Sequence, residues 1–162
     1  MLIRELDRAG LRPYSDLLGE VEAGARYDPA NPDNVRWLEQ RLGGHIARGA
    51  VFYGLFDDDG SPVGIASLLT ERFLHTEFSV SWLLDLGVMP DQRGKGYGSK
   101  LLTHLEEEAR RAGSHCFYLW TYAGDHRNVA FYAKNGFVPV ATLPDVNGPG
   151  AEGDVYMRKL LT

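Results

Sequence analysis

The sequence predicts an α+β fold, an α/β/α sandwich in which helices cover both faces of one mixed, mostly antiparallel sheet of about seven strands. A strand–helix–strand unit in the middle of the chain requires two parallel strands joined by a right-handed crossover. Apolar runs separated by short turns on either side of that unit predict antiparallel pairs. The 162 residues, of which 44% are hydrophobic and 24% charged, suit a single domain spanning residues 1–162.

The N-terminal part is predicted to form one strand and two helices. "MLIREL" alternates between apolar and polar residues, as a short strand does, and a helix follows with Pro13 near its first turn. Asn31 before Pro32 is typical of a helix cap and first helical position, and Gly49 ends this second helix. The residues that recur at helical spacing are Tyr14, Leu17, Leu18 and Val21 in the first helix, and Trp37, Leu38, Arg41, Leu42, His45 and Ile46 in the second.

The middle of the chain is predicted to form a hairpin, a long strand and a helix. "AVFYGLF" and "PVGIASLLT" are strands joined by "DDDGS", a hairpin turn that contains Asp-Gly. "FSVSWLLDLGV" is nearly all apolar after Ser81, which indicates a strand buried on both faces. The helix that follows carries leucines and alanines on one face and charges on the other, and Gly113 is its natural end.

The C-terminal part is predicted to contain three strands and one helix. "HCFYLWTY" is a strand, and "DHRNVAFYAKN" is a short helix with Asp125 as its cap and Gly136 after its end. "FVPVATL" and "DVYMRKLL" are the last two strands, joined by a polar, glycine-rich loop.

Composition excludes several classes of function. A formal net charge of −5 argues against a general nucleic-acid-binding protein, which needs a basic face. No stretch has the length of a membrane span, and the N-terminus has no signal-peptide core. Cys116 is the only cysteine, so no internal disulfide can form, which fits a reducing cytoplasm. We therefore expect a cytoplasmic protein with no nucleic-acid or membrane partner.

The segment between the long strand and the following helix has three glycines at alternate positions, interleaved with cations. The start of a helix carries unpaired N–H groups and a partial positive charge, and glycine lets a phosphate approach that backbone closely. The segment therefore indicates a pyrophosphate cradle, with a tight turn bearing solvated cations as the alternative. A dinucleotide fingerprint is excluded because Ser99 stands where its third glycine should be, and Met89 excludes a nucleotide-triphosphate loop of the Gly-Lys type.

The stretch "LDLGVMPDQRGKGYGSKLLTHLEEEARRAG" resembles the acyl-CoA-binding segment of the GNAT superfamily of N-acyltransferases. Arg93, Gly96 and Gly98 match the family pattern, and a second family segment is present as "FYAKNGFVPV". The resemblance covers about two-thirds of the chain, from roughly residue 50 to the end. It implies that the central parallel strands splay apart, and that an acetyl group passes from acetyl-CoA directly to a primary amine of a small molecule or peptide.

The resemblance also implies which residues hold coenzyme A. Backbone amides from Arg93 to Gly98 would hold the pyrophosphate, and backbone groups around Leu86 and Val88 would pair with the pantetheine arm. A bulge near Asp85–Gly87 would help open the gap, although Gly87 can equally mark close packing. The full expected set is Leu86, Gly87, Val88, Arg93, Gly94, Lys95, Gly96, Tyr97, Gly98, Ser99, Asn128 and Tyr132.

Two catalytic residues are expected. Tyr132 stands in the family's tyrosine position and would donate a proton to the departing thiolate; without the resemblance it would be read as an aromatic core residue. Asp85 lies in an apolar run, so its pKa could be raised and it could act on the amine through water; a purely structural hydrogen-bonding role is equally open. Asn128 and Asp125 depart from the family pattern, so Asp125 is as readily a helix cap as a ligand contact.

Other readings remain open at this point. A non-catalytic acyl-CoA-binding module would keep the cradle without proton-handling groups. Cys116 is read as a buried structural residue because His115 points to the opposite strand face, and no histidine pair has metal-ligand spacing, so we expect no metal. The sequence decides neither between monomer and homodimer nor which amine is used. The residues that could form an aromatic wall of the substrate pocket, or simply belong to the core, are Trp37, Phe73, Trp82 and Trp120.

Overall fold

The computed structural model describes residues 1–72 and 77–161 and contains one seven-stranded sheet in the order β1-β2-β3-β4-β5-β7-β6. Phe73 lies outside the described residues. The strands are β1 (Leu2–Leu6), β2 (Val51–Phe56), β3 (Pro62–Arg72), β4 (Ser79–Val88), β5 (Ser114–Tyr122), β6 (Val138–Leu143) and β7 (Asp154–Leu160). The α-helices are α1 (Ser15–Ala23), α2 (Pro32–Ala47), α3 (Tyr97–Arg111) and α4 (His126–Lys134). The predicted order of elements and the mixed sheet are both confirmed.

The parallel pair at the centre of the sheet is short. β4 and β5 pair from Ser79–Ser114 to Trp82–Tyr118 with a shift of register between Ser79 and Val80, and β4 then runs on to Val88. The pairs β1–β2, β2–β3, β5–β7 and β6–β7 are antiparallel. The central parallel pair expected for the fold is therefore present.

Helix ends follow the local sequence signals closely. The side chain of Asn31 accepts a hydrogen bond from the N–H of Asp33 at 2.9 Å, with Pro32 in the first turn of α2. Asp125 caps α4 in the same way by accepting from the N–H of Asn128 at 3.0 Å. The first helix differs from expectation: Pro13 falls inside a 3₁₀ turn, and α1 begins only at Ser15. Proline has no N–H to donate, so it is better accommodated before the regular helix than within it.

Two compact units can be distinguished in the described chain. The first comprises Met1–Leu69 and Leu84–Leu105. Its core is built by apolar side chains of β2, β3, α1 and α3, with Leu18, Leu55 and Leu101 fully buried. The hydroxyl of Tyr14 donates to the carbonyl of Leu55 at 3.2 Å, and burial raises the pKa of this tyrosine to about 12.

The second unit comprises Thr70–Leu83 and Glu106–Thr162. Phe117 of β5 and Phe137 pack in its core with ring centroids 5.5 Å apart. The ammonium of Lys159 on β7 donates to the carboxylate of Glu106 at 2.6 Å. Six consecutive residues of β6 are exposed, as expected of an edge strand. Among the described residues, no helix is both long enough and apolar enough to span a membrane.

Candidate active site

A turn between β4 and α3 presents backbone N–H groups. Gly94 and Gly96 have φ angles of 78° and 82°, a left-handed conformation that side-chain-bearing residues rarely adopt. The N–H of Lys100 donates to the carbonyl of Gly96 at 3.1 Å, and this bond closes the first turn of α3. The preceding N–H groups of Tyr97, Gly98 and Ser99 therefore have no helical acceptor. A Cβ atom built on Gly94 or Gly96 meets no protein atom within 4 Å, so this backbone faces open space.

The guanidinium of Arg93 is held within the first unit rather than standing free. It donates to both carboxylate oxygens of Glu20 on α1, at 2.9 and 3.1 Å, and to the carbonyl of Val88 at 3.0 Å. The ammonium of Lys95 donates to the side-chain oxygen of Gln92 at 3.0 Å and is exposed. Lys95 and the backbone dipoles, more than Arg93, therefore supply the uncompensated positive charge of the turn.

The last residues of β4 precede this turn, with a short 3₁₀ turn at Pro90–Gln92 between them. Gly87 has no left-handed φ; a Cβ atom there would lie 2.9 Å from Cγ of Leu17 and 3.0 Å from a methyl of Val21, both on α1. Its role is thus close helix–strand packing, the second of the two readings of this glycine. Leu86 and Val88 flank it as half-buried strand residues.

Asp85 lies on β4 and is buried, with 1% of its surface exposed. The hydroxyl of Ser67 donates to its Oδ2 at 2.5 Å and accepts from its backbone N–H at 3.0 Å. The other carboxylate oxygen, Oδ1, is buried and receives no hydrogen bond. Burial above all, and then the negative charge of Glu22, raise the pKa of Asp85 to about 7.

Glu22 of α1 and His45 of α2 complete a buried cluster with Asp85. Carboxylate oxygen Oε1 of Glu22 lies 2.8 Å from His45 Nε2, and Oε2 accepts from Nε of Arg41 at 2.8 Å. Burial alone would raise the pKa of Glu22, but these hydrogen bonds outweigh it and hold the pKa at about 2. The cluster therefore combines one carboxyl group that keeps its proton and one that readily loses it.

Within the described residues, this cluster also has side-chain atoms close enough together to hold a metal ion. One ligand atom from each of Glu22, His45 and Asp85 lies within 4.8 Å of the other two. The guanidinium of Arg41 already pairs with Glu22, at 2.8 Å between Nε and Oε2, so the charge of Glu22 does not need a metal cation to balance it. The expectation that no metal takes part stays a prediction.

Glu22 and His45 were not identified as site residues from the sequence. His45 follows Leu38 and Leu42 at helical spacing, so the sequence alone predicts that it belongs to a buried helix face. Glu22 occupies the position four residues after the fully buried Leu18. A charged residue among the buried positions of a helix could have identified Glu22 and His45 as partners, because an ionised group is rarely buried without a partner.

Tyr132 and Asn128 lie on α4, in the second unit. The half-buried ring of Tyr132 contacts Phe131 and Phe137 edge-on, with centroids 5.2 and 6.0 Å apart. Asn128 is exposed, and its backbone N–H is the one capped by Asp125. Asp125 thus acts as a helix cap, one of the two roles expected for it.

Comparison with known proteins gives a consistent match. The family described as the acetyltransferase (GNAT) family matches residues 16–137. An L-amino acid N-acyltransferase of Escherichia coli is 37% identical over 120 residues, covering 70% of this chain and 63% of that protein. A tRNA(Met) cytidine acetyltransferase of Aeropyrum pernix is 31% identical over 122 residues, which cover 64% of this chain and 17% of that protein.

Solved structures share the whole architecture. The crystal structure of ribosomal-protein-alanine N-acetyltransferase from Brucella melitensis superposes with a TM-score of 0.74 at 27% identity, covering 99% of both chains. The matches to the curated relatives, in contrast, span less than two-thirds of those proteins' own lengths.

Proposed function

Because the chain belongs to the acetyltransferase (GNAT) family, we propose that it is an N-acetyltransferase that moves an acetyl group from acetyl-CoA to a primary amine of a small molecule or peptide. The observation that carries this proposal is the turn before α3, where two left-handed glycines with open space at their Cβ positions precede N–H groups that have no acceptor within the helix. Such a row, at the positive end of a helix dipole, is suited to a diphosphate.

The residues present fit coenzyme A. The N–H groups from Gly94 to Ser99 and the ammonium of Lys95 would hold its pyrophosphate. The N–H of Arg93, which was also expected in this set, donates to the carbonyl of Pro90 at 3.5 Å. The backbone of Leu86–Val88 would pair with the pantetheine arm. Asn128 and Tyr132 of α4 stay predicted coenzyme A contacts, as the family resemblance implies. When bound, the thioester of acetyl-CoA supplies an activated acyl group for attack by an amine.

Asp85 is proposed as the group that takes up a proton from the incoming ammonium, through water. A free alkylamine has a pKa near 10.4, so only about one molecule in a few thousand is neutral at pH 7. A base with a pKa close to the working pH removes that proton most effectively. The pKa of about 7, which lies at the working pH, supports this assignment.

Tyr132 is proposed as the proton donor to the departing thiolate. Its ring is fixed between two phenylalanines, which favours a constant orientation of the hydroxyl group. If Tyr132 is not a donor, the chain could still bind acyl-CoA without catalysing transfer, and the two cases differ in turnover rather than in affinity.

Two measurements test the proposal. Calorimetry with coenzyme A is done on the wild type, on Gly96→Ala, and on Gly113→Ala as the matched control. Gly113 has a φ of 78° and open space around its Cβ position, so the control carries the same backbone strain at the other end of α3. We expect Gly96→Ala alone to weaken binding, by about tenfold or more, because the strained turn no longer aligns its N–H groups.

The second measurement is thiol release from acetyl-CoA with polyamines, aminoglycosides, amino acids and peptide N-termini as acceptors. Acetylation of at least one class is expected. An absence of coenzyme A binding by the wild type, or an equal loss in both glycine variants, would contradict the cradle assignment.

A further inference from the structure

One oxygen atom of the buried Asp85 carboxyl group receives no hydrogen bond. Oδ2 accepts from the hydroxyl of Ser67 at 2.5 Å, whereas Oδ1 is buried and has no donor within the described chain. Nearly all buried polar atoms of folded proteins have a partner, and an ionised carboxylate can only accept. A protonated carboxyl group satisfies the same atom differently, because its O–H group donates.

The acceptor for that proton is the carboxylate of Glu22 on α1. One oxygen atom of each side chain lies within 4.8 Å of the other. A hydrogen bond between the two side chains raises the pKa of Asp85 and lowers the pKa of Glu22. Two carboxyl groups share a hydrogen bond only when one of them carries a proton, and these directions place that proton on Asp85.

Two side chains of α2 hold Glu22 in its ionised form. Nε of Arg41 donates to Oε2 at 2.8 Å. Nε2 of His45 lies 2.8 Å from Oε1 and donates to it, because an ionised carboxylate only accepts. Donors on both oxygen atoms favour the charged form of a buried carboxyl group. Glu22 is therefore the fixed negative charge of the pair, and Asp85 is the site where a proton binds and leaves.

The groups that act on Asp85 come from three neighbouring elements. Burial is the largest cause of its raised pKa, and the negative charge of Glu22 on α1 is the second. The hydrogen bond from Ser67 of β3 and the charge of His45 of α2 act in the opposite sense and lower it. Among these neighbours, Glu22 is thus the side chain whose charge makes Asp85 more basic.

We infer that Glu22 is a positioning residue for Asp85: its carboxylate accepts the hydrogen bond of Asp85 Oδ1–H and keeps the exchangeable proton of the cluster on Asp85. This inference rests on the proposed role of Asp85 as the base for the incoming amine. When both groups are ionised, two negative charges face each other in a buried site. Transfer of a proton from the ammonium through water breaks an N–H bond, forms an O–H bond on Asp85 and relieves this repulsion, and the proton then returns to solvent before the next turnover.

The proton is observed directly by carbon-13 NMR of labelled aspartate carboxyl groups, titrated without coenzyme A and assigned by the signal that Asp85→Asn lacks. The wild-type Asp85 signal should titrate near pH 7. Glu22→Gln should lower this midpoint by about one pH unit or more, a tenfold or larger rise in the acid dissociation constant, because it removes the neighbouring charge. Glu39→Gln makes the same chemical change at an exposed position of α2 and should leave the midpoint unchanged.

A second measurement keeps Glu22 in place, so it does not depend on the folding of Glu22→Gln. In glutamate-labelled wild type, one carboxyl signal should respond with the same midpoint as Asp85, and Asp85→Asn should abolish that response. Once an amine acceptor is found, the acid limb of the pH profile of kcat/KM should move to lower pH in Glu22→Gln, in parallel with the NMR midpoint, and stay in place in Glu39→Gln.

The outcomes separate this inference from the proposed function. A wild-type Asp85 signal that titrates near the ordinary 3.8, or a midpoint that Glu22→Gln leaves unchanged, overturns the inference even if amines are acetylated. A midpoint that reaches neutrality only after a chelator is added overturns it as well, because a cation and not a proton would then balance the pair. A midpoint that falls in Glu22→Gln while the kcat/KM profile stays in place would instead count against Asp85 as the base and leave the proton-sharing pair standing.

Discussion

The buried carboxyl group of Asp85 predicts an unusual dependence of stability on pH, which the substitution Asp85→Asn should remove. The asparagine side chain has the shape of the protonated aspartic acid and can keep the hydrogen bond from Ser67. It has no proton to lose, so its contribution to the free energy of unfolding does not change between pH 5 and pH 8.

The direction of the wild-type effect follows from the raised pKa. The folded protein holds the Asp85 proton up to about pH 7, whereas the unfolded chain releases it near the ordinary value of 3.8. The free energy of unfolding therefore decreases as the pH rises from about 3.8 to about 7. Three pH units at about 1.4 kcal/mol each correspond to about 4 kcal/mol, of which about 3 kcal/mol falls between pH 5 and pH 8.

Glu22 acts in the opposite sense and at lower pH. Its pKa of about 2 lies below the ordinary 4.5, so the stability that it contributes is present above pH 4.5 and is lost as the pH falls toward 2. The two carboxyl groups together place the stability optimum of the cluster near pH 4 to 5. Measurements above pH 5 consequently report on Asp85 and not on Glu22.

The assay is urea unfolding at pH 5, 6, 7 and 8, with the free energy of unfolding extrapolated to water. The wild type should lose about 3 kcal/mol more than Asp85→Asn across this range. Glu39→Gln, which neutralises an exposed carboxylate on α2, should follow the wild type. Parallel curves for the wild type and Asp85→Asn would refute the assignment of a proton to this buried carboxyl group.

Three further predictions concern the turn, the strand that precedes it and α4. Tyr132→Phe should lower kcat by about 10²-fold or more while calorimetric coenzyme A affinity stays the same, because only proton donation is lost. Gly87→Ala should lower the free energy of unfolding by about 1–3 kcal/mol in urea titrations, because the new Cβ would press on Leu17 at 2.9 Å; an unchanged value would argue against tight packing there. Arg93→Met should cost under about 1 kcal/mol in the same titrations, because its pair with Glu20 is exposed, and a larger loss would show that the pair is better shielded than its exposure indicates.

The order of elements, the helix caps and the glycine turn could be predicted from the sequence because each depends on neighbouring residues. Asn31 and Asp125 cap helices through N–H groups two or three positions away, and Gly96 adopts the left-handed φ that its own backbone allows. The number of strands and the central parallel pair followed from hydrophobic periodicity and connection lengths.

The tertiary structure alone decided which distant side chains meet. Glu22 and His45 are 23 positions apart, Ser67 and Asp85 are 18 apart, and the four converge in one buried cluster. Hydrophobic burial sets the strand order and helix placement, and only then do burial and neighbouring charges set the pKa values on which the proposed chemistry depends.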